Sequence, residues 1–551
     1  MTRKDNINQY IAQAIKDNWD NLALTDFDGS SFQFRDVARK IAKLHILFEC
    51  IGIKPGDRIA LCGRNSAQWS IAFLASVTYG AVAVPILHDF KADNIHHLVN
   101  HSESKLLFAD VYTWENLDPD AMTSLKGAIL ISDYSILLCR NKKIESARHN
   151  LNRLFGERYP ERFTPDDIDY FEPADDRLAL INYTSGSTGM SKGVMLTYGN
   201  LWSNVQFCID GLDFLLPGDG LVCMLPLAHM FGLMVELLHP FVKGCHVSFL
   251  TRTPSPRVIM EAFARVKPKL IVTVPLIIEK IIRTRVFPML DKPLMKLLLN
   301  VPVIDDKLFA RIKDKLTEVF GGNLKEIIIG GAGLNKDVEQ FLRRIHFPYT
   351  VGYGMTECGP LVAYAPWDIQ REGSCGRIVD RMNARIGSTD PAAIPGVLWV
   401  KGDNVMQGYY KNPEATAAVF DDGWMNTGDI CTIDSDGFLY IRGRDKNMIL
   451  GPSGQNIYPE EIEMQLNAMP YIGESLIVER NGKLVALIYP DIENAKRQNM
   501  SDSDLANAMK QNVATLNSNL PAYSQIADYK IMSEEFEKTP KRSIKRYLYQ
   551  H

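Results

Sequence analysis

Apolar residues in the first part of the chain alternate between two spacings. From Phe34 to Ile51 they recur at Val37, Ile41, Leu44, Leu47 and Phe48, three or four residues apart, which predicts one buried helix face. Pro55-Gly56-Asp57 predicts a turn. Arg58 to Cys62 reads as a short buried strand, Trp69 to Tyr79 as an apolar helix, and Ala81 to Pro85 as a second strand. This β-α-β rhythm implies a parallel sheet with helices on its faces. The rhythm returns at Leu270–Val274 and Glu326–Ile329; the apolar run from Leu270 to Ile278 reads as a buried strand interrupted by Pro275. Between about Asp110 and Pro173 the periodicity fades. There Arg140 to Arg162 mixes basic and acidic residues, which predicts a solvated surface excursion rather than a nucleic-acid patch.

From Gly396 the texture turns β-rich, with strands expected at Val397–Lys401 and Gly437–Ile441. A second shift follows Arg444. Pro459-Glu460-Glu461 puts proline and acids in the first turn of a helix. Asn481-Gly482 between two apolar runs is a hairpin signal. A helix from about Ser503 to Leu516 and a strand near Tyr529–Met532 complete a compact α+β unit. The expected fold class is therefore α/β. A large N-terminal domain, residues 1–445, carries parallel-type sheets, helices and a β-rich subdomain, and a small α+β domain follows at 446–551.

Composition narrows this picture without changing it. A chain of 551 residues buries a sizeable core without staples. Its net charge of −4 argues against a nucleic-acid partner, and its 46% hydrophobic content argues against disorder. The nine cysteines include no Cys-x-x-Cys pair, so they read as small core residues and not as a zinc site. The first residues lack the apolar stretch of a secretory leader, and no apolar run reaches the ~18 residues of a membrane span. The expectation is a soluble protein of a reducing, cytoplasmic compartment.

The most informative segment runs from Tyr183 to Gly193, Tyr-Thr-Ser-Gly-Ser-Thr-Gly-Met-Ser-Lys-Gly, after an expected strand at Ala179–Asn182. Glycines let backbone amides close around an anion, hydroxyls add donors, and Lys192 adds a point charge for phosphate. The common nucleotide P-loop has Ser or Thr directly after the lysine, and here Gly193 stands there. Taken alone, the segment reads equally well as a Ser/Gly linker.

Other motifs break that tie. Thr184 to Gly193, Tyr353-Gly354-Met355-Thr356-Glu357, Asn426-Thr427-Gly428-Asp429, Gly443-Arg444 and Ile457 to Glu463 occur in one order. Together they resemble the adenylate-forming (AMP-binding) superfamily of acyl-CoA synthetases, peptide-synthetase adenylation domains and luciferases, from about Ser31 to Arg546. Leu225 to Phe231 and Tyr353 to Pro360 resemble in particular the bacterial long-chain fatty-acid–CoA ligases.

The resemblance implies a ligase that joins a fatty acid to ATP as acyl-AMP, expels pyrophosphate, and then passes the acyl group to CoA with release of AMP. ATP, Mg²⁺ and CoA are the implied cofactors. It implies that Thr184, Ser185, Gly186, Ser187, Thr188, Gly189 and Lys192 cradle the β- and γ-phosphates. Tyr353, within Tyr353-Gly354-Met355, would stack on adenine, with Gly331-Ala332-Gly333 as the opposite wall. Thr356 would donate to the α-phosphate. Glu357, with Thr184 as a second contact, would bind Mg²⁺, which prefers carboxylate and phosphate oxygen. Asp429 would take the ribose hydroxyls, and Arg444 would reach the same sugar. His229 would gate the carboxylate end of an acyl pocket to which Met230, Phe231, Leu233 and Met234 could contribute; the plain alternative is a core histidine. Lys446 would be the hinge of a mobile C-terminal domain, and Gly454 would admit the pantetheine arm of CoA.

One position departs from the family. The last motif usually reads Lys-Thr-Pro-x-x-Lys-Ile-x-Arg, and its second lysine stabilises charge during adenylation. Here Ser543 stands at that lysine, in Lys538-Thr539-Pro540-Lys541-Arg542-Ser543-Ile544-Lys545-Arg546. Lys541 or Lys545 can supply the missing charge; otherwise adenylation is impaired. Three readings stay open: a fatty-acid–CoA ligase, a fatty-acyl-AMP ligase that acylates acyl carrier protein, and a catalytically impaired nucleotide binder. Lipid-like substrates also leave open peripheral contact with the inner membrane. His97 and His101 share one helix face, a weak metal-site signal.

Overall fold

The computed structural model describes residues 6–184, 191–251, 255–290, 304–451, 455–539 and 543–550. The β-α-β rhythm builds an eight-stranded sheet. Its spatial order is Gly408–Tyr409, Lys192–Thr197, Leu178–Thr184, Val82–Ile86, Arg58–Cys62, Leu106–Ala109, Gly127–Leu130 and Ile136–Cys139. The five central strands are parallel, and antiparallel strands close both edges. A parallel strand needs a crossover, and the helices Ala67–Thr78 and Ala92–His101 supply such connections. Every residue of Ala67–Thr78 except Gln68 is buried, which is why that segment lacks a polar stripe.

A second sheet orders Gly220–Cys223, His246–Phe249, Leu22–Asp26 and Ser31–Gln33. A third, wholly parallel, orders Leu270–Thr273, Glu326–Ile329 and Tyr349–Val351. The β-rich part is antiparallel: Met382–Ile386, Gly396–Gly402, Trp424–Ile433 and Leu439–Arg444 lie side by side. After Arg444 a 3₁₀ turn, Asp445–Asn447, leads into a unit with its own apolar cluster. There Ile462, Leu466, Ile488, Met509 and Leu516 pack together. Asn481 and Gly482 both have positive φ, 53° and 72°, as a two-residue hairpin turn requires. The strand Asp528–Ile531 joins that hairpin in parallel.

Two expectations need correction. The strand at Leu270 ends at Thr273, and Pro275 opens the helix Pro275–Ile281 instead of interrupting a strand. Proline lacks an N–H, and the first helical position has no use for one. The segment after Asp110 is also more than a solvated excursion. Gly127–Leu130 and Ile136–Cys139 extend the large sheet, and Ile144, Ala147 and Leu151 are buried in its core. The charge of Lys142–His149 and Leu151–Arg158 masks a narrow apolar stripe. Seven of the nine cysteines are buried and all are unpaired, consistent with their reading as core residues.

Candidate active site

The strands on either side of the glycine-rich segment, Leu178–Thr184 and Lys192–Thr197, pair antiparallel. Thr184 ends one strand and Lys192 begins the next, and the two are register partners. Ser185, Gly186, Ser187, Thr188 and Gly189 lie outside the described residues. The Lys192 ammonium sits 4.4 Å from the centre of the Tyr409 ring, a cation–π contact. The Tyr409 hydroxyl donates to Glu357 Oε1 at 2.9 Å. Burial, then the Glu357 carboxylate, pushes the Tyr409 phenol above its ordinary range. Lys192, Tyr409 and Glu357 thus form one linked row, with Thr356 beside Glu357 in the 3₁₀ turn Thr356–Cys358.

Tyr353 and Gly354 precede that turn as a short strand. A Cβ on Gly354 would fall 2.5 Å from the Pro360 carbonyl oxygen, so only glycine lets these backbones meet. Tyr353 is buried, and its hydroxyl donates to Asp429 Oδ2. Asp429 is 2% exposed on Trp424–Ile433, and Arg444 is its register partner on the next strand. The Arg444 Nε–Asp429 Oδ1 distance is 2.8 Å. Burial raises the Asp429 carboxyl above its usual range, and Arg444 opposes that rise. Gly331, Ala332 and Gly333 are exposed at the end of Glu326–Ile329, and Gly331 takes φ +86°. Gly330 abuts the Phe231 ring.

His229 is half-buried and precedes the helical turn Met230–Gly232. Three polar side chains hold the backbone leading to it. Glu236 accepts from the N–H groups of Met224 and Leu225, at 2.8 Å for Leu225. Asn65 donates to the Leu225 carbonyl at 2.6 Å and accepts from the Leu227 N–H at 2.9 Å. Asn182 donates to the Ala228 carbonyl at 2.8 Å, two residues before Thr184 on the same strand. An apolar cavity opens beside Tyr353, Gly330 and Gly331, and Phe231 lines it. Met230, Leu233 and Met234 are buried in the core away from its lining.

Glu236 lies in a π-helical turn, Leu233–Leu238, and burial pushes its carboxyl up to about 8. The folded protein therefore keeps a proton there that an unfolded glutamate loses near 4.5. With more protons bound in the native state, stability falls as pH rises from about 4.5 to 8. Glu236→Gln removes that titration. Its stability relative to the native protein is expected to rise across this window, by up to ~1.4 kcal/mol per pH unit. Urea unfolding of both proteins at mildly acidic and mildly alkaline pH measures the difference; parallel pH dependences would contradict it.

The C-terminal residues are arranged differently. Lys446 is exposed in the turn Asp445–Asn447, directly after Arg444. Lys545 pairs with Glu537 at 2.7 Å within the small unit. Arg546 pairs with Glu463, anchoring the chain end there. Lys541 and Gly454 lie outside the described residues. His97 and His101 stand 5.7 Å apart between ring centres, and His101 Nδ1 lies 2.8 Å from the Tyr183 hydroxyl. No group of three potential metal-binding side chains occurs among the described residues. The Glu357 carboxylate beside Thr356 is a donor of the kind Mg²⁺ takes, since that ion is commonly held by one or two carboxylates plus substrate phosphates.

Sequence reasoning missed Tyr409, Asn65, Asn182 and Glu236. Gln407-Gly408-Tyr409-Tyr410 carries only a weak turn signal, and the clamp residues act through the backbone of a distant segment.

Residues 11–410 match the AMP-binding enzyme family, and residues 446–550 match the AMP-binding enzyme C-terminal domain. The chain is similar to the long-chain-fatty-acid–CoA ligase FadD15 of Mycobacterium bovis, 29% identical over 490 residues, 84% of this chain and 78% of that one. It is also similar to the feruloyl-CoA synthase of an Amycolatopsis species, 27% identical over 462 residues, 82% of this chain and 81% of that one. In structure it resembles ATP-bound MatB from Rhodopseudomonas palustris, with a TM-score of 0.76, 22% identity, and coverage of 99% of this chain and 98% of that one.

Proposed function

This chain belongs to the AMP-binding enzyme family, and we propose that it is an ATP-dependent ligase that activates a fatty acid as acyl-AMP and transfers the acyl group to CoA. The observation that carries the proposal is that one short segment, from Tyr353 beside the apolar cavity to Glu357, joins two rows of side chains. Lys192, Tyr409 and Glu357 form a charged row, and Tyr353, Asp429 and Arg444 form a polar, half-aromatic one. A nucleotide has both characters, phosphate and base with sugar.

A carboxylate is a poor electrophile, and joining it to AMP gives it a good leaving group. Catalysis at phosphorus is mostly positioning and charge stabilisation. In this reading Lys192 and the loop from Thr184 bind the β- and γ-phosphates, and Thr356 donates to the α-phosphate. Glu357, with Thr184, would hold Mg²⁺, which when bound neutralises phosphate charge. Tyr353 and Gly331-Ala332-Gly333 enclose adenine, and Asp429 and Arg444 hold the ribose. Residues 1–445 supply this site. Residues 446–551 turn about Lys446 between the two half-reactions, and the 446–550 match to a C-terminal domain supports that division. His229, fixed by the Asn65–Asn182–Glu236 clamp, faces the acid.

Similarity to FadD15 favours a long-chain fatty acid, while the feruloyl-CoA synthase shows that relatives of this kind also act on a different acid. No described helix is long and apolar enough to cross a membrane. A cytoplasmic enzyme meeting its acid in solution or at a membrane surface fits this reading. The test is AMP release from ATP and Mg²⁺ over short, medium, long and aromatic acids, with CoA or with holo acyl carrier protein. AMP that requires an acid and CoA supports the ligase. AMP and acylation with the carrier alone would move the acceptor to carrier protein, and ATP binding without AMP would indicate an impaired binder. ADP as product would contradict the proposal.

Ser543 makes one further prediction. Ser543 is exposed and its N–H points to Thr539 Oγ1 at 3.3 Å, so it supplies no cation. If Lys541 and Lys545 take over that charge, replacing both by Ala lowers acyl-AMP formation about 100-fold. Thioester formation from supplied acyl-AMP stays unchanged. An unaltered adenylation rate would remove both lysines from the reaction.

A further inference from the structure

The apolar cavity has a definite floor. Successive residues of a strand point to opposite faces. Ile328 and Gly330 line this cavity, while Ile327 lines a separate apolar cleft with Met224 and Phe263. Glu326 shares the face of Ile328 and Gly330 at the far end of the strand Glu326–Ile329. From Gly331 at the mouth back to Glu326 is about 16 Å of extended chain.

At that far end Tyr364 lines the cavity. Its hydroxyl donates to Glu326 Oε2 at 2.9 Å. Glu326 is 2% exposed, and its other oxygen accepts the Trp367 N–H at 3.1 Å. Phe207 braces the Tyr364 ring edge-on, with centroids 5.9 Å apart and planes at 82°. Swinging Tyr364 aside would strip a buried carboxyl of a hydrogen bond, which is costly. The ring is therefore a fixed wall and not a swinging door.

We propose that Tyr364, pinned by Glu326 and braced by Phe207, is the stop of the acyl pocket and restricts the acid to straight chains of medium length. The inference rests on the acid-activating reading and departs from the long-chain acid that similarity to FadD15 favours. Methylene groups are recognised only by the space they fill, so the wall at the end of the slot decides the length that fits. A chain that ends above the Tyr364 ring buries all its carbons. A longer one must bend back toward the mouth or displace the ring.

The test is kcat/KM for acid-dependent AMP release by the full chain with CoA, over straight acids from hexanoate to stearate. The native protein is expected to prefer an acid no longer than dodecanoate. Tyr364→Ala and Phe207→Ala are each expected to raise the palmitate-to-octanoate ratio at least about 10-fold. Tyr364→Phe, which keeps the ring and the Phe207 brace but loses the Glu326 bond, is expected to raise the ratio less than Tyr364→Ala. Phe207→Ala leaves the Glu326 bond in place, so it remains informative if Tyr364→Ala fails to fold. Palmitate as the best acid of the native protein would overturn the stop. So would an unchanged ratio in a folded Ala variant that binds ATP normally. Absence of AMP with every acid would instead overturn the acid-activating reading, and the stop with it.

Discussion

Asp429→Ala is expected to lower acid-dependent AMP formation by a factor of 100 to 1,000, with most of the loss in ATP affinity. The carboxylate is 2% exposed and joins two side chains, the Tyr353 hydroxyl and the Arg444 guanidinium. The two hydrogen bonds proposed from the ribose to this carboxylate are worth about 1.5–3 kcal/mol each. At 1.4 kcal/mol per factor of ten, their loss is roughly two to four decades. Arg444 is half open to solvent, so the lower part of that range applies. Asp429 carries the two oxygens proposed to receive the ribose hydroxyls, so its loss weakens ATP directly. Asp429→Asn keeps the shape and one acceptor, and is expected to fall between the two. Calorimetric titration with ATP, beside melting curves for both variants, separates affinity from folding. Native ATP affinity in a folded Asp429→Ala would remove Asp429 from the nucleotide site.

Glu357→Gln is expected to lower the adenylation rate about 100- to 1,000-fold, the range for losing one preorganised electrostatic contact to a transition state. The substitution preserves size and still lets an oxygen accept from the Tyr409 hydroxyl, which lies 2.9 Å from Glu357 Oε1. It removes the negative charge that would hold Mg²⁺ against the phosphates. The expected signature is a fall in kcat with a raised Mg²⁺ requirement, while acyl-CoA formation from supplied acyl-AMP is retained. A variant with native adenylation at ordinary Mg²⁺ would place the metal elsewhere.

Most of the fold was legible because local and tertiary signals agree. The helix Phe34–Ile51, the strands Arg58–Cys62 and Glu326–Ile329, and the Asn481-Gly482 turn all stand where periodicity and turn chemistry put them. Failures came where the signals compete. Lys142–Arg158 has too many charges for its short apolar stripe to stand out, yet Ile144 and Leu151 reach the core. Pro275 reads as a breaker within an apolar run but is a helix opener.

The candidate site was legible as motifs and not as geometry. The linear sequence names Tyr353 and Asp429 but cannot show that they share a hydrogen bond across 76 residues. Tyr409 and Asn182 escaped notice because each acts across the fold, Tyr409 on Glu357 and Asn182 on the Ala228 carbonyl. Tyr364 belongs to none of the motifs, and only the fold brings its hydroxyl to Glu326, 38 residues earlier.

The central claim is that one site makes an acyl-adenylate and then spends it on a thiol. The most direct test is a single-turnover reaction of the full chain with radiolabelled fatty acid, ATP and Mg²⁺, quenched before and after addition of CoA. The account predicts enzyme-bound acyl-AMP and one equivalent of pyrophosphate before CoA, then acyl-CoA and AMP in equal amounts after it. Acyl-CoA with ADP and phosphate, or acyl-AMP that never yields to CoA, would contradict it.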